Sequence, residues 1–210
     1  MSRKVVLSIE GNIGAGKSTV LDCLREICQG ATVVQEPVLE WQELQTDEKR
    51  GLLESFYADQ KTYAFQLQMF ALLTRFQAIH ECTQFNDIVV AERSILSDSC
   101  VFAHTLQKNG CLTTSESAIL QRWSGYFASL LPESILIYIK TPVDVCMDRI
   151  KQRSREGEEN LTVDYLSQLE AEHQVMVDNF FGHIIELDGR KCPLELAQEL
   201  VEIISNLEHD

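Results

Sequence analysis

Five short runs along the chain are apolar at nearly every position: KVVLSI (4–9), TVVQ (32–35), DIVVA (87–91), SILIYIK (134–140) and HIIEL (183–187). They are rich in β-branched residues and continuous rather than alternating, the pattern of strands in a parallel sheet buried on both faces. Between them lie helical segments: 17–29, a long stretch from about 52 to 85, 96–131 with a break near Asn109–Gly110, 142–154, 162–180 and 193–207. Strands alternating with helices predict an α/β doubly wound fold, a five-stranded parallel sheet covered by helices on both faces. Such sheets bind ligands beyond the carboxyl ends of their strands, so those ends are where chemistry is expected.

Composition narrows the partners. At 210 residues, with 45% hydrophobic and 24% charged, the chain has the profile of a globular protein. It contains no repeat, low-complexity tract or Pro/Gly/Ser-rich linker, so 1–210 reads as one domain. No apolar run approaches the roughly 20 residues of a membrane helix. The opening MSRKVVLSIEG passes straight into the first strand run, which leaves no room for a leader and predicts a cytoplasmic protein. A net charge of −14 repels nucleic acid and anionic membranes at long range but leaves small phosphates possible. Seven cysteines, an odd number with no CxxC pair, argue against a disulfide framework or a zinc site.

Candidate chemistry begins where the first strand run ends. Gly11, Gly16, Lys17 and Ser18 fit G-x-x-x-x-G-K-[ST] between a strand and a helix, the setting this motif requires. The loop Gly11, Asn12, Ile13, Gly14, Ala15, Gly16, Lys17, Ser18, Thr19 is expected to cradle the phosphates of a nucleoside triphosphate on backbone N–H groups and a helix N-terminus. Lys17 would reach the β- and γ-phosphates, and Ser18 would offer its hydroxyl to Mg²⁺.

The next two strand runs end in Glu36–Pro37 and Glu92–Arg93–Ser94, which a parallel sheet brings to the same edge as the loop. A carboxylate there can accept the proton of a hydroxyl nucleophile. The plainer readings are a helix cap or surface charge for Glu36 and a structural ion pair for Glu92 and Arg93. In DRIKQRSREGEE (148–159), Arg149 and Arg153 share a helical face and Arg155 follows, which reads as an arginine-rich lid over about 149–160. On its own that segment would equally suit a solvated helix face.

Taken together, EGNIGAGKST, EPVLEW (36–41), FQLQ (65–68), ERSILSDSCVFA (92–103) and the lid arginines resemble the deoxynucleoside kinase family, from Val5 to the last helix. The resemblance implies a P-loop kinase fold that transfers the γ-phosphate of ATP to the 5′-hydroxyl of a deoxyribonucleoside. It implies Glu36 as general base with Arg93 beside it, and Glu92 with Ser18 holding Mg²⁺. Tyr57 and Glu158 would bond the sugar 3′-hydroxyl, Glu159 being a one-residue register alternative. Gln68 would pair with the base edge, in a pocket shaped by Trp41, Leu53, Phe56, Leu67 and Phe102. Arg149, Arg153 and Arg155 match the lid arginines. Without the family match, Tyr57, Phe56 and Leu67 would read as plain core, and the five histidines match no family role.

The Gln68 amide offers a donor and an acceptor and does not choose among bases. Arg75 and Asp98 resemble the pair found in family members that act on deoxycytidine and purine deoxynucleosides, so these are expected ahead of thymidine, although a buried salt bridge indifferent to substrate is the alternative. The resemblance further implies a homodimer packed through the 52–85 and 115–131 regions. Two departures stand out: the stretch between Trp41 and Tyr57 is short, and Gly157 in an acidic segment predicts a loosely closing lid. The rival readings are a thymidine-preferring kinase, a thymidylate kinase, which must hold an acceptor monophosphate, and a nucleotide-binding partner protein without turnover. A switch GTPase would carry an NKxD segment, which the sequence lacks.

Overall fold

The structure, a computed structural model, describes residues 4–155 and 157–208. Residues 1–3 and 209–210 of the expected domain, and Glu156 of the expected lid, lie outside the described residues. Strands β1 (Val5–Glu10), β2 (Thr32–Val34), β3 (Ile88–Glu92), β4 (Glu133–Lys140) and β5 (Ile184–Asp188) form one five-stranded sheet in the order β2-β3-β1-β4-β5. Every pairing is parallel. The chain fills one side of β1 with β2 and β3, then crosses to β4 and β5, so the carboxyl ends of β1 and β3 flank the reversal where such folds open a crevice.

The helices are α1 (Lys17–Ile27), α2 (Val38–Glu43), α3 (Leu52–Ala58), α4 (Gln60–Phe85), α5 (His104–Lys108), α6 (Thr114–Leu130), α7 (Val143–Arg153), α8 (Val163–Asp178) and α9 (Pro193–Glu208), with a π-helical turn at Ser97–Ala103 and a 3₁₀ turn at Glu158–Asn160. The two-residue period of β1 sorts its side chains between layers. Val5, Leu7 and Ile9 join Val20, Leu21 and Leu24 of α1 and Leu196, Leu200 and Ile204 of α9, whereas Val6 packs with Val89, Ala91 and Ile79 of α4. Leu136 and Tyr138 of β4 bury the faces of α7 and α8. A separate apolar cluster running from Trp41 through Phe56, Leu67 and Leu106 to Phe127 joins α2–α6 beside the sheet.

Four expectations need correction. The central strands β1 and β3 are buried at every position, but the edge strands are not: β2 is half-buried and β5 exposes Glu186 and Asp188. Residues 52–85 form two helices, because Asp59 leaves helical geometry (φ −145°, ψ 85°) and caps α4 by accepting from Thr62 N at 3.2 Å and Thr62 Oγ1 at 2.6 Å. The segment 96–131 breaks at Asn109–Gly110 as expected, but it opens as a π-helical turn, and α6 restarts at a capping box between Thr113 and Glu116. Helix α2, only six residues long after Pro37, is too short to show a helical period in sequence.

Candidate active site

The loop after β1 carries three glycines at positive φ: Gly11 (146°), Gly14 (78°) and Gly16 (96°). At Gly14 a Cβ would fall 2.5 Å from the Cys146 carbonyl oxygen, so only glycine lets the loop lie directly on the start of α7. Helix α1 begins at Lys17 with no acidic residue in its first turn, leaving the positive end of its dipole uncompensated. Lys17 is buried, and its Nζ donates to the carbonyls of Gly11 (3.2 Å) and Asn12 (2.9 Å), closing the loop on itself. Burial, with Arg93 adding to it, lowers the ammonium pKa to about 8 despite the nearby carboxylates of Glu92, Glu36 and Glu10. Asn12 ties the loop to α8: its Nδ2 donates to the Leu166 carbonyl at 2.8 Å, and its Oδ1 accepts from the Ile13 N–H at 2.8 Å. The stretch Ile13–Val20 lines a cavity of about 660 Å³, whereas Gly11 and Asn12, expected to share in cradling phosphate, are outside its lining.

The three strand ends meet above this loop. Ser18 Oγ donates to Glu92 Oε1 at 2.7 Å, and the Glu36 backbone N–H lies 3.5 Å from Glu92 Oε2. Glu36 Oε1 receives Arg75 Nη2 at 2.9 Å and stands 3.1 Å from Arg93 Nε, an ion pair whose N–H is not aimed at the oxygen. Burial would raise the Glu36 carboxyl, but Arg93 and Arg75 outweigh it and hold the pKa at about 2. Arg75 also grips Asp98 through Nε (2.9 Å) and Nη2 (3.1 Å) and donates from Nη1 to the Glu92 carbonyl (2.8 Å). Burial pushes the Asp98 carboxyl up, against the pull of Arg75. Arg93 adopts left-handed φ (66°), rare for a non-glycine and a mark of backbone held under strain at functional positions.

The remaining expected residues surround the same cavity. Trp41, Leu53, Phe56, Leu67 and Phe102 form its apolar wall, with Gln68, Arg75 and Asp98 at one end. Trp41 is fixed by donation from Nε1 to Thr74 Oγ1 at 3.0 Å, beneath the Arg75 guanidinium. Gln68 Oε1 is buried without a hydrogen-bond partner among the described residues. Over the mouth, Arg149 ties the loop to the segment after β5, donating to Ala15 O and Gly189 O at 3.0 Å each. Arg153 makes a two-pronged bond to Glu158 (2.8 and 2.6 Å) and Arg155 stands 3.6 Å from the same carboxylate. Glu158 is buried there, whereas Glu159 is exposed. Gly157 corrects the expectation of a loose lid: at φ 87° it lies so close that a Cβ would meet Tyr57 Cδ2 at 2.8 Å, so the glycine permits contact between lid and α3. Burial first, then the Glu158 charge, raises the Tyr57 phenol above its ordinary value.

Four features were not singled out from sequence. Glu10, fully buried at the end of β1, accepts from Ser94 N (2.7 Å), Ser94 Oγ (2.6 Å) and Ser97 Oγ, and so pins the Glu92–Arg93–Ser94 turn. Its place at a strand end beside the loop was a usable signal. Tyr165 of α8 lines the cavity, as do Gly189 and Lys191 after β5. His173 of α8 touches Arg93, and nothing in its helical spacing marks it.

Comparisons with known proteins identify the family. The family described as deoxynucleoside kinase matches residues 7–206. A deoxycytidine kinase of Rattus norvegicus is 31% identical over 192 residues, covering 80% of this chain and 73% of the relative. A chicken (Gallus gallus) protein named deoxycytidine kinase 2 is 32% identical, covering 80% of this chain and 72% of its own. A mitochondrial deoxyguanosine kinase of Xenopus laevis is 29% identical, covering 80% and 71% respectively. With a phosphate loop, strand-end carboxylates and an arginine lid around one cavity, and with this match over nearly its whole length, the chain belongs to the deoxynucleoside kinase family and is an ATP-dependent deoxynucleoside kinase.

Proposed function

We propose that the cavity takes a deoxynucleoside with its base toward Gln68, its sugar between Tyr57 and Glu158, and its 5′-hydroxyl at Glu36, while the triphosphate of ATP lies on the loop 11–19. The observation that carries this reading is the orphaned Gln68 Oε1 in an apolar wall that leads down to Glu36 and the loop. A buried acceptor left unpaired costs about 1–3 kcal/mol, which the donor edge of a base would offset. The Gln68 amide group, the Tyr57 phenol and the Glu158 carboxylate suit a neutral sugar and base better than a second phosphate.

Glu36, ionised throughout the physiological range, accepts the hydroxyl proton. Arg75 donates to Oε1 and Arg93 stands against the same oxygen, so Oε2 is the atom that would take the proton. Arg93 steadies the carboxylate, and Arg149, Arg153 and Arg155 neutralise charge on the transferring phosphoryl group. Lys17 leaves its two loop carbonyls for the β- and γ-phosphates. A hydroxyl and a carboxylate 2.7 Å apart make a hard-oxygen pair suited to Mg²⁺, so Ser18 and Glu92 would hold it, Glu92 through water. When bound, Mg²⁺ supplies neutralisation of phosphate charge.

For the base, the Arg75–Asp98 pair favours deoxycytidine, deoxyadenosine and deoxyguanosine over thymidine. Four of the five Arg75 N–H groups are committed among the described residues, so the pair acts more by shape and charge beside the base edge than by direct pairing. A thymine methyl would have to sit against a desolvated ion pair. Discrimination of about 1–3 kcal/mol is expected from such a contact.

Two further assignments extend this reading. Exposed Trp123, Tyr126 and Ile119 on α6, with Leu73 on α4, suit a second copy of the chain, giving a homodimer. Light scattering at micromolar protein that gave only the monomer mass would refute it. No helix among the described residues is long and apolar enough to cross a membrane, and the free cysteines suit the reducing cytoplasm, where we place the protein.

The activity test is ADP release from ATP and Mg²⁺ with deoxycytidine, deoxyadenosine, deoxyguanosine, thymidine and dTMP supplied separately. Turnover with the first three and little with thymidine is expected. Turnover with thymidine alone would remove the Arg75–Asp98 argument, turnover with dTMP alone would make the chain a thymidylate kinase, and silence throughout would leave a nucleotide-binding partner protein.

A further inference from the structure

His173 lies on α8, outside the cavity lining, with no exposed surface. Its two ring nitrogens meet groups of fixed polarity. Nδ1 is 2.7 Å from the Leu169 carbonyl oxygen, which can only accept, so Nδ1 carries a proton. Nε2 is 3.2 Å from Arg93 Nη1, and a guanidinium can only donate, so Nε2 is bare. One neutral tautomer satisfies both contacts. The charged ring would point a second N–H at a cation. Burial, joined by the Arg93 charge, accordingly drives the imidazole pKa well below its ordinary value.

Arg93 is the residue this contact constrains. Its guanidinium lies 4.7 Å above the Phe102 ring, Nη1 also donates to the Gly11 carbonyl at 2.8 Å, and Nε faces Glu36 at 3.1 Å. Its backbone is in the left-handed region, which persists only where surrounding contacts over-determine it. His173 is itself wedged, with Phe102 edge-on to its ring and Tyr138 stacked at 6.1 Å. A phenylalanine or leucine would fill the same space at lower desolvation cost. A buried acceptor aimed at the back of an active-site guanidinium is what those residues would not supply.

We infer that His173 is a positioning residue for phosphoryl transfer: its bare Nε2 accepts from Arg93 Nη1 and fixes the guanidinium that steadies Glu36. The inference rests on the proposed role of Glu36 and Arg93. It gives α8 a task beyond covering the sheet. This helix follows the lid turn Glu158–Asn160, grips the phosphate loop through Asn12 and Leu166, and reaches the strand-end arginine through His173, so one rigid element spans the lid, the loop and the Glu36 cluster.

The test compares His173→Phe, which keeps the ring volume and removes the acceptor, with His173→Gln, which keeps an acceptor near the Nε2 position. Both are measured for kcat, for KM toward ATP and deoxynucleoside, and for melting temperature. His173→Phe is expected to lower kcat about 10- to 100-fold, the range for losing a hydrogen bond to a charged group, with KM for ATP little changed. His173→Gln is expected to recover most of that loss. A folded His173→Phe with wild-type kcat, or a His173→Gln as slow as His173→Phe although both melt like wild type, would overturn the inference. Wild-type enzyme in the same assay separates the two claims, since its silence would fall on the proposed function. In that event ¹⁵N spectra of the His173 ring at pH 7 decide the positioning claim. A protonated Nδ1 with a bare Nε2 supports it, and a protonated Nε2 contradicts it.

Discussion

Two clusters of arginine and carboxylate border the same cavity, and they are built differently. At the strand ends, Arg75, Arg93 and Asp98 are almost wholly buried, with Glu36 beside them, and each arginine has three or more partners on several elements. In the lid, the side chains of Arg153 and Arg155 remain about a third exposed (33% and 34%), and both lean on the single carboxylate of Glu158. A network with many buried partners is preorganised and costly to disturb. A cluster sharing one partner has fewer contacts to rearrange when phosphate arrives. The strand-end cluster thus suits orientation of the acceptor hydroxyl, and the lid suits capture and release of the donor phosphates.

Several measurements would break or sharpen that contrast. Apart from removal of the general base, the largest effect is expected from Arg153→Gln, which should lower kcat by about 10²-fold or more, short of the 10³–10⁵ of a lone arginine finger because three guanidiniums share the task. Its stability should fall less than that of a strand-end variant, and a kcat near wild type would remove Arg153 from the phosphoryl site. Asp98→Asn leaves a buried guanidinium underpaired and should cost about 3 kcal/mol of stability, read from urea unfolding. A change below about 0.5 kcal/mol, the range of a surface substitution, would show the buried network to be no stiffer than the lid.

pH offers a milder probe. Lys17, whose pKa is lowered to about 8 in the free protein, must be protonated to meet the triphosphate, so binding takes up a proton only above that pH. ATP affinity without acceptor should therefore be constant below pH 8 and fall about tenfold per unit above it. Affinity flat to pH 10 would contradict the lowered pKa. Glu36 has the opposite sense: its folded pKa of about 2 lies below the ordinary 4.5, so its stabilising contribution is complete above pH 4.5 and lost as pH falls toward 2. The smallest effect is expected from Gly157→Ala, which pushes the lid off Tyr57 and should raise KM for deoxynucleoside by a few-fold, about 1 kcal/mol of strain. An unchanged KM would mean that the lid does not need that contact.

The two regions also differ in what their sequence discloses. The loop and strand ends were legible because a fixed spacing and a continuous apolar run each have a direct physical cause: Gly11 to Ser18 must turn around phosphate, and β1 and β3 must be buried on both faces. Those two features set Glu36, after β2, and Glu92, ending β3, at the carboxyl edge of the sheet. The break at Asp59 was hidden because apolar spacing continues through it, and only the side-chain cap to Thr62 marks the new helix. Gly157 looked like slack in an acidic segment, and its contact with Tyr57 is a long-range fact. His173 and Glu10 meet partners 80 and 84 residues away; a strand-end place beside the loop marks Glu10 as a candidate, but no local pattern encodes either pairing.

In the reaction we propose, Glu36, held ionised by Arg75 and Arg93, takes the proton of the acceptor hydroxyl. The most direct test of this step is Glu36→Gln, close in size and neutral, followed by rapid mixing of ATP, Mg²⁺ and deoxynucleoside, with ATP affinity measured on the same protein. Removal of a general base predicts a loss of about 10²–10⁴ in the rate of phosphoryl transfer with ATP binding preserved. Transfer at the wild-type rate in a folded variant would contradict the account.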